Sequence, residues 1–418
     1  MIAETCPPWP SPRNTSRAFA PLRCADYASK APGWNRVRIV MGVATGPGNR
    51  KRRDAIRQTW MRWPSVGKTV VVCFAVGRRQ LATATLAALD AEASEFGDLL
   101  FLPVSDGCVS MVSIGKAYAF WRSASRMTSR ARQPPMIAKA DDDSFVNMPM
   151  LERLLEKLHC VPRLYLGALA FTGFHPQYLR NCGFAWAGGG AYHKYGCEAT
   201  GAHPPYPFAL GQLQVLSTPL AATLAASPGA SDLAATAESR PNVNANEDSA
   251  IGFMISHLPN VTYVSLGKSS WHNLGCFPTS GMYRQPARNV SIVVHRLLTV
   301  ASLRYTWRVL EGGMVPDSAA CMNAAIKWQE GPVERLRRFC ERCTSAEWKR
   351  YGGKAPHGCN EVGGSKAFVG RLREGCVKHG LLAAAPPAAS PSSFRSRTQG
   401  GNATSRRHRR FPSKSQAV

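Results

Sequence analysis

The chain has 418 residues, of which 44% are hydrophobic, 9% aromatic and 19% charged. That composition excludes a peptide, a collagen-like fibre and wholesale disorder, and leaves room for one large α/β domain of about 250 residues with appendages. The 52 Lys and Arg against 26 Asp and Glu give a net charge of +26, a positive field that attracts polyanions, nucleotides or an acidic membrane surface without choosing among them.

Residues 1–34 are rich in Pro, Ser and Arg without periodicity and read as an irregular lead-in. The apolar run 37–43 closes in Thr45-Gly46-Pro47-Gly48, the pattern of a buried strand followed by a turn. Arg50 to Arg62 then places Ile56, Trp60 and Trp63 on one side of a helix. The alternation continues with a strand over 69–76, a helix over 80–96, a strand over 98–104 and a helix over 109–131. Met136 to Ala140 is a fourth buried strand, Met148 to His159 an amphipathic helix and Leu164 to Ala168 a fifth strand. Strands alternating with helices predict an α/β domain with a mostly parallel sheet, helices on both faces and a ligand site beyond the carboxyl ends of the strands.

Residues 173–211, dense in Gly, Tyr, Trp and Pro, are expected as substrate loops, and 219–245 as a low-complexity Ala/Ser/Thr/Pro insertion. Order returns at Asn246-Glu247-Asp248, where Asn246 is placed to cap a helix, and Val261 to Leu266 is a further strand. The expected organisation is a domain over 35–316, a basic cysteine-bearing extension over 317–380 and a disordered basic tail over 381–418. The longest apolar runs, such as 69–76, fall far short of the roughly 18 residues that span a bilayer.

The 13 cysteines and the Asn-x-Ser/Thr sequons at Asn14, Asn260, Asn289 and Asn402 lean toward the secretory lumen. Met1 to Pro8 has neither the basic nor the apolar segment of a signal peptide, so either a longer N-terminus precedes this one or the protein is cytosolic. Cys340-x-x-Cys343, with His357, Cys359 and Cys376, has partial zinc-site spacing; disulfides that include Cys321 are the preferred reading.

Asp141-Asp142-Asp143 packs three carboxylates at a strand end, where a divalent metal relieves their repulsion; a solvated turn is the alternative. Glu247-Asp248 is either a general-base pair or a helix cap. His272 is either a metal ligand or a hydrogen-bonded structural residue. Arg52-Arg53-Asp54-Ala55-Ile56-Arg57-Gln58-Thr59-Trp60 is either a diphosphate-binding or a solvated helix face. No Walker A, GxGxxG, GxSxG or HExxH sequence occurs, which removes support for the common phosphate-loop, dinucleotide, hydrolase and zincin chemistries.

The order of these motifs carries more than any one of them. Arg52-Arg53-x-Ala55-Ile56-Arg57-x-Thr59-Trp60, then Lys139-Ala140-Asp141-Asp142-Asp143-Ser144-Phe145-Val146, then Pro204-Pro205-Tyr206-Pro207, then Glu247-Asp248-x-x-x-Gly252 resembles the β-1,3-galactosyltransferase family of inverting hexosyltransferases (glycosyltransferase 31 type), over residues 37–275. The resemblance implies a GT-A fold, a UDP-sugar donor carrying galactose or N-acetylglucosamine, Mn²⁺, a glycan or glycoprotein acceptor, a β-1,3 linkage and attachment to the Golgi membrane. By position it implies Asp248 as catalytic base, Asp143 and His272 as metal ligands, Asp141 and Asp142 beside the ribose and donor sugar, and Arg53, Arg57 and Lys139 as basic residues around the nucleotide or the acids. Gln214 stands where the family usually has Tyr, and Ser249 where a hydrophobic residue is usual. Rival readings are a basic nucleic-acid-binding protein, favoured by the charge, and a lectin-like protein that keeps the fold without turnover.

Overall fold

The computed structural model describes residues 6–7, 9, 21–27, 34–106, 113–128, 136–177, 179–182, 203–239, 246–267, 269–273 and 290–312. The first strands follow the apolar runs closely: β1 (Ile39–Ala44), β2 (Val70–Arg79), β3 (Leu99–Ser105) and β4 (Met136–Asp141). Between them lie α1 (Arg50–Arg57), α2 (Thr83–Phe96) and α3 (Ile114–Thr128). Then come β5 (Phe145–Val146), α4 (Met148–Glu156), β6 (Leu164–His175), β7 (Arg180–Cys182), β8 (His203–Leu216), α5 (Thr218–Ala226), α6 (Pro228–Ser239), α7 (Glu247–Ser256), β9 (Thr262–Ser265), β10 (Trp271–Asn273), β11 (Val293–His295) and α8 (Val300–Leu310).

The main sheet runs β3-β2-β1-β4-β8-β6-β7, with β9 also paired to β6. β1, β2, β3 and β4 are parallel, whereas β8 is antiparallel to both β4 and β6. Every residue of β1 is buried, as a central parallel strand covered on both faces requires. Ile39, Met41 and Val43 pack with Ile56 of α1, Leu151 of α4 and Leu303 of α8. On the other face Ile137 and Ala75 meet α3, α5, α6 and α7. The expected sheet with helices on both faces is therefore present. Gly42 permits the close approach of α3, because a Cβ there would lie 2.1 Å from the Phe120 ring.

A second sheet, β10-β11-β5, pairs β11 antiparallel to β5, with Val294 opposite Phe145. This short ladder brings the end of β11 against the turn that follows β4.

Three stretches differ from expectation. The helix begun at Arg50 ends at Arg57 and gives way to a 3-10 turn over Trp60–Arg62, because Thr59 leaves helical geometry and its Oγ1 donates to the Ala55 carbonyl at 2.7 Å. Much of 173–211, expected as loops, is strand: β6 extends to His175 and β8 begins at His203, while 183–202 lies outside the described residues. Residues 218–239, most of the expected low-complexity insertion, form α5 and α6, both covering α3. Alanine-rich sequence with Pro219 and Pro228 in the first turns suits helix starts.

The lead-in is tied to the domain where it is described. Disulfides join Cys6 to Cys160 and Cys24 to Cys73, and the Leu22 amide donates to the Gly67 carbonyl at 2.7 Å. The extension over 317–380, with its expected disulfides or zinc site, and the tail over 381–418 lie outside the described residues. No helix among the described residues is long and apolar enough to cross a membrane.

Candidate active site

The site is built where β4 leaves the sheet. Asp141 is the last residue of β4, and the chain turns at once, the Ser144 amide donating to the Asp141 carbonyl at 3.0 Å. The three aspartates therefore point to different surroundings. Asp142 is fully buried and accepts from Thr45 Oγ1 at 2.7 Å, Asn49 Nδ2 at 2.7 Å and Arg52 Nη1 at 3.2 Å. A buried carboxylate with three donors is a structural anchor for the loop between β1 and α1. Asp141 and Asp143 stay partly open, their side chains 23% and 15% exposed.

His295, the last residue of β11, completes a group with them. Ligand atoms of Asp141, Asp143 and His295 all lie within 4.8 Å of one another, and His295 Nε2 is 3.4 Å from Asp143 Oδ1. Two carboxylate oxygens and one imidazole nitrogen, partly exposed, fit a divalent ion such as Mn²⁺ with open positions left for other oxygen ligands. His272 lies on β10, paired to β11 at Val294, and its side chain is outside what is described. The sequence reading did not single out His295. Its signal was available in Ile292-Val293-Val294-His295, an apolar run ending in a metal-binding residue type.

Charge is distributed unevenly over the group. Burial, together with Glu247 and Asp143, pushes Asp141 up to about 6 against the opposing charge of Lys139. Burial also acts to raise Asp143, but His295 and Arg52 outweigh it and hold that carboxyl below its ordinary range. His295 is raised: burial favours the neutral ring, and the charge of Asp143 overcomes it. Lys139, almost wholly buried, donates to Asp141 Oδ1 at 3.0 Å and Glu247 Oε1 at 3.4 Å. Burial opposes its charge, yet these acids and Asp248 keep it protonated.

Asp248 approaches from the other side. It is the second residue of α7, where Asn246 caps the helix by accepting from the Asp248 amide at 3.3 Å, as the sequence indicates. Its side chain is held from β8, with the Gly211 amide donating to Oδ2 at 2.7 Å and Gln214 Nε2 to Oδ1 at 3.4 Å. Burial first, then the charge of Glu247, raises Asp248 well above the ordinary carboxylate range. Gln214, which occupies the position where the resemblance has Tyr, also donates to the Ala209 carbonyl at 2.8 Å and so pins the bulged part of β8. Ser249 is buried, its hydroxyl between Asn181 and the Asn246 carbonyl.

Arg53 and Arg57 stand apart from this group. Arg53 is fully buried, bound to Glu92 at 2.6 Å and to the Gly46 carbonyl at 2.6 Å. Arg57 meets Glu92, Asp98 and Asp54, each at 2.7 Å. The residue of this motif that bonds to the triple aspartate is Arg52, at Asp142, whereas Arg53 and Arg57 are held by carboxylates that offset their desolvation. Of the predicted site residues, the structure brings together Lys139, Asp141, Asp143 and Asp248, with Asp142 as support.

Residues 51–259, half of the chain, match the family model described as Galactosyltransferase. The chain is 29% identical over 154 residues to Beta-1,3-galactosyltransferase 7 of Arabidopsis thaliana, a match covering 35% of this chain and 38% of that one. It is 28% identical over 179 residues to Probable beta-1,3-galactosyltransferase 1 of the same plant, covering 39% and 43%. The matched stretches thus span less than half the length of these relatives. Among solved structures, the galactosyltransferase LgtC in complex with donor and acceptor sugar analogs is similar at 13% identity and a TM-score of 0.31, covering 67% of this chain and 97% of that one. By the family match over its strand-and-acid core, the chain belongs to the galactosyltransferase family.

Proposed function

We propose that this chain is a metal-dependent inverting hexosyltransferase that moves galactose or N-acetylglucosamine from a UDP-sugar to a glycan hydroxyl in β-1,3 linkage. The observation that carries the reading is the meeting of two unlike acid sites at one place: a partly open Asp141, Asp143 and His295 group, and the buried, hydrogen-bonded Asp248. The family match and the relatives named as β-1,3-galactosyltransferases support it.

Asp141, Asp143 and His295 would hold Mn²⁺, whose chemistry there is to offset the charge that builds on the departing diphosphate. Asp248 takes the proton of the acceptor hydroxyl as that oxygen forms its bond to the anomeric carbon and the bond to UDP breaks. Burial raises the pKa of Asp248, so its carboxylate form is a stronger base than a solvated one. The Gly211 amide and Gln214 fix its direction. Lys139 keeps Asp141, Glu247 and Asp248 from repelling one another apart. Displacement from the face opposite the leaving group inverts an α-linked donor to a β-linked product in one step, without a covalent enzyme intermediate. The two described disulfides support residence in an oxidising compartment, which agrees with a Golgi glycosylation enzyme.

The test is transfer from UDP-galactose and UDP-N-acetylglucosamine to a panel of glycan acceptors by the full chain, with product linkage determined by NMR. Asp248→Asn lowers turnover about 10²–10⁴-fold in this reading; turnover equal to that of the unaltered chain would sink the assignment of the base.

A further inference from the structure

Arg52 was part of the basic motif at the start of α1, but its contacts reach beyond its own helix. Its side chain is 17% exposed. Nη1 donates to Asp142 Oδ1 at 3.2 Å, and Nη2 donates to the Leu298 carbonyl at 2.8 Å, a residue 246 positions away in sequence. The two acceptors belong to the two segments that supply the candidate metal ligands. Asp142 sits between Asp141 and Asp143, and Leu298 lies in the turn that follows His295.

Within that turn Leu297 is fully buried in the main core. Arg296 adopts a left-handed backbone, φ 61°, which a residue with a Cβ keeps only when its surroundings enforce it. A backbone bond ties the turn to the acids, the Leu297 amide donating to the Asp143 carbonyl at 2.8 Å. Arg52 adds a side-chain link to the same turn through the Leu298 carbonyl. Beyond the turn, Thr299 caps α8, whose Arg304 reaches back to Gln58 Oε1 at 2.8 Å, so α1 and α8 frame the turn from one side. A guanidinium suits this bridge because its two terminal nitrogens reach two separate acceptors from one rigid plane, whereas an ammonium carries all its donors on one nitrogen.

We propose that Arg52 is a positioning residue for the metal-binding group, bridging the aspartate turn to the His295 turn so that Asp141, Asp143 and His295 converge on one ion. The proposal rests on the metal reading of those three residues given above. Arg52 bonds to Asp142 and to the Leu298 carbonyl, and acts by holding the His295 turn in place against the acids.

The test uses the full chain and Mn²⁺ alone, titrated while free Mn²⁺ is followed by its electron paramagnetic resonance signal, well below the unfolding temperature. Arg52→Ala weakens Mn²⁺ binding about 10–100-fold, as loss of partners that orient metal ligands does, and Arg52→Lys, which keeps the charge and loses the fork, does not restore it. In a His295→Ala background, Arg52→Ala changes the remaining affinity by less than about twofold, because two residues that act through one element do not add. Wild-type Mn²⁺ affinity in a folded Arg52→Ala chain would overturn the proposal, as would an undiminished effect in the His295→Ala background. Should Arg52→Ala fail to fold, Arg52→Lys decides alone, and unchanged affinity there overturns it. Absence of Mn²⁺ binding in the unaltered chain would overturn the metal reading itself, and the bridge with it; binding in the unaltered chain with no effect of Arg52 removes the bridge only.

Discussion

The carboxylates of Asp141 and Asp248 flank a single backbone position, Gly211. A Cβ built there would lie 2.6 Å from Asp141 Oδ2 and 2.7 Å from Asp248 Oδ1, and the Gly211 amide itself donates to Asp248. The glycine is what lets the proposed metal ligand Asp141 and the proposed base share one wall of the site, since any side chain would drive them apart. Gly211→Ala is therefore expected to cost about 10²-fold in turnover, the scale associated with displacing a catalytic group by an ångström, against only about 1–3 kcal/mol of stability from overpacking. Transfer assays beside denaturant melts check this, and full activity in the alanine variant would contradict it.

Lys116 and Asp106 form a buried pair, each side chain 2% exposed. Lys116 also donates to the Thr45 carbonyl at 2.7 Å, and the Gly77 amide donates to Asp106 Oδ2 at 2.7 Å. Burial raises Asp106 and lowers Lys116, so each group resists its charged form and each depends on the other. Lys116→Met leaves the acid without its cation and is expected to cost about 3–5 kcal/mol near neutral pH. The deficit shrinks toward acid pH. A carboxyl whose folded-state value lies above its unfolded one binds its proton more tightly when folded, so stability is lost as pH rises through that folded-state value and is regained as pH falls below it. Urea melts of both proteins at pH 5 and pH 7.5 measure this; an equal deficit at the two values would count against it.

The disulfides Cys24–Cys73 and Cys6–Cys160 close separations of 49 and 154 residues and attach the N-terminal segment to β2 and to the turn that follows α4. Reducing them is expected to remove about 2–5 kcal/mol for each bridge that contributes. Thermal melts with and without a reductant, with free thiols counted by mass spectrometry, test it. An unchanged midpoint once Cys24 and Cys73 are shown to be reduced would contradict the claim.

The parts of this fold that can be read from sequence are those whose burial is local. β1, the first seven residues of β2 and the start of β4 are apolar runs because both faces are covered, and Asn246 announces α7 because capping is a contact two residues long. β8 is concealed: Pro204, Pro205, Pro207 and Gly211 read as loop, yet antiparallel pairing with β6 and β4 orders the segment and a bulge near Gly211 turns that glycine to use. The acids were legible as a cluster, but their division of labour was not, since Asp142 differs from its neighbours only through Thr45, Asn49 and Arg52, residues about 90 positions away. For the same reason Arg53 and Arg57 looked ligand-facing: Glu92 and Asp98, which hold them, lie on other elements. His295 owes its place to the β11–β5 ladder, a pairing of very short strands with little sequence signature.

The proposed function requires that Asp141, Asp143 and His295 form a metal-dependent donor site. Calorimetric titration of UDP into the full chain, first with Mn²⁺ and then with excess EDTA, tests it most directly. Binding is expected to require Mn²⁺, to be abolished by Asp143→Ala and to survive Asp248→Asn. UDP binding of equal strength in EDTA, or none at all with Mn²⁺ present in a demonstrably folded chain, would contradict it.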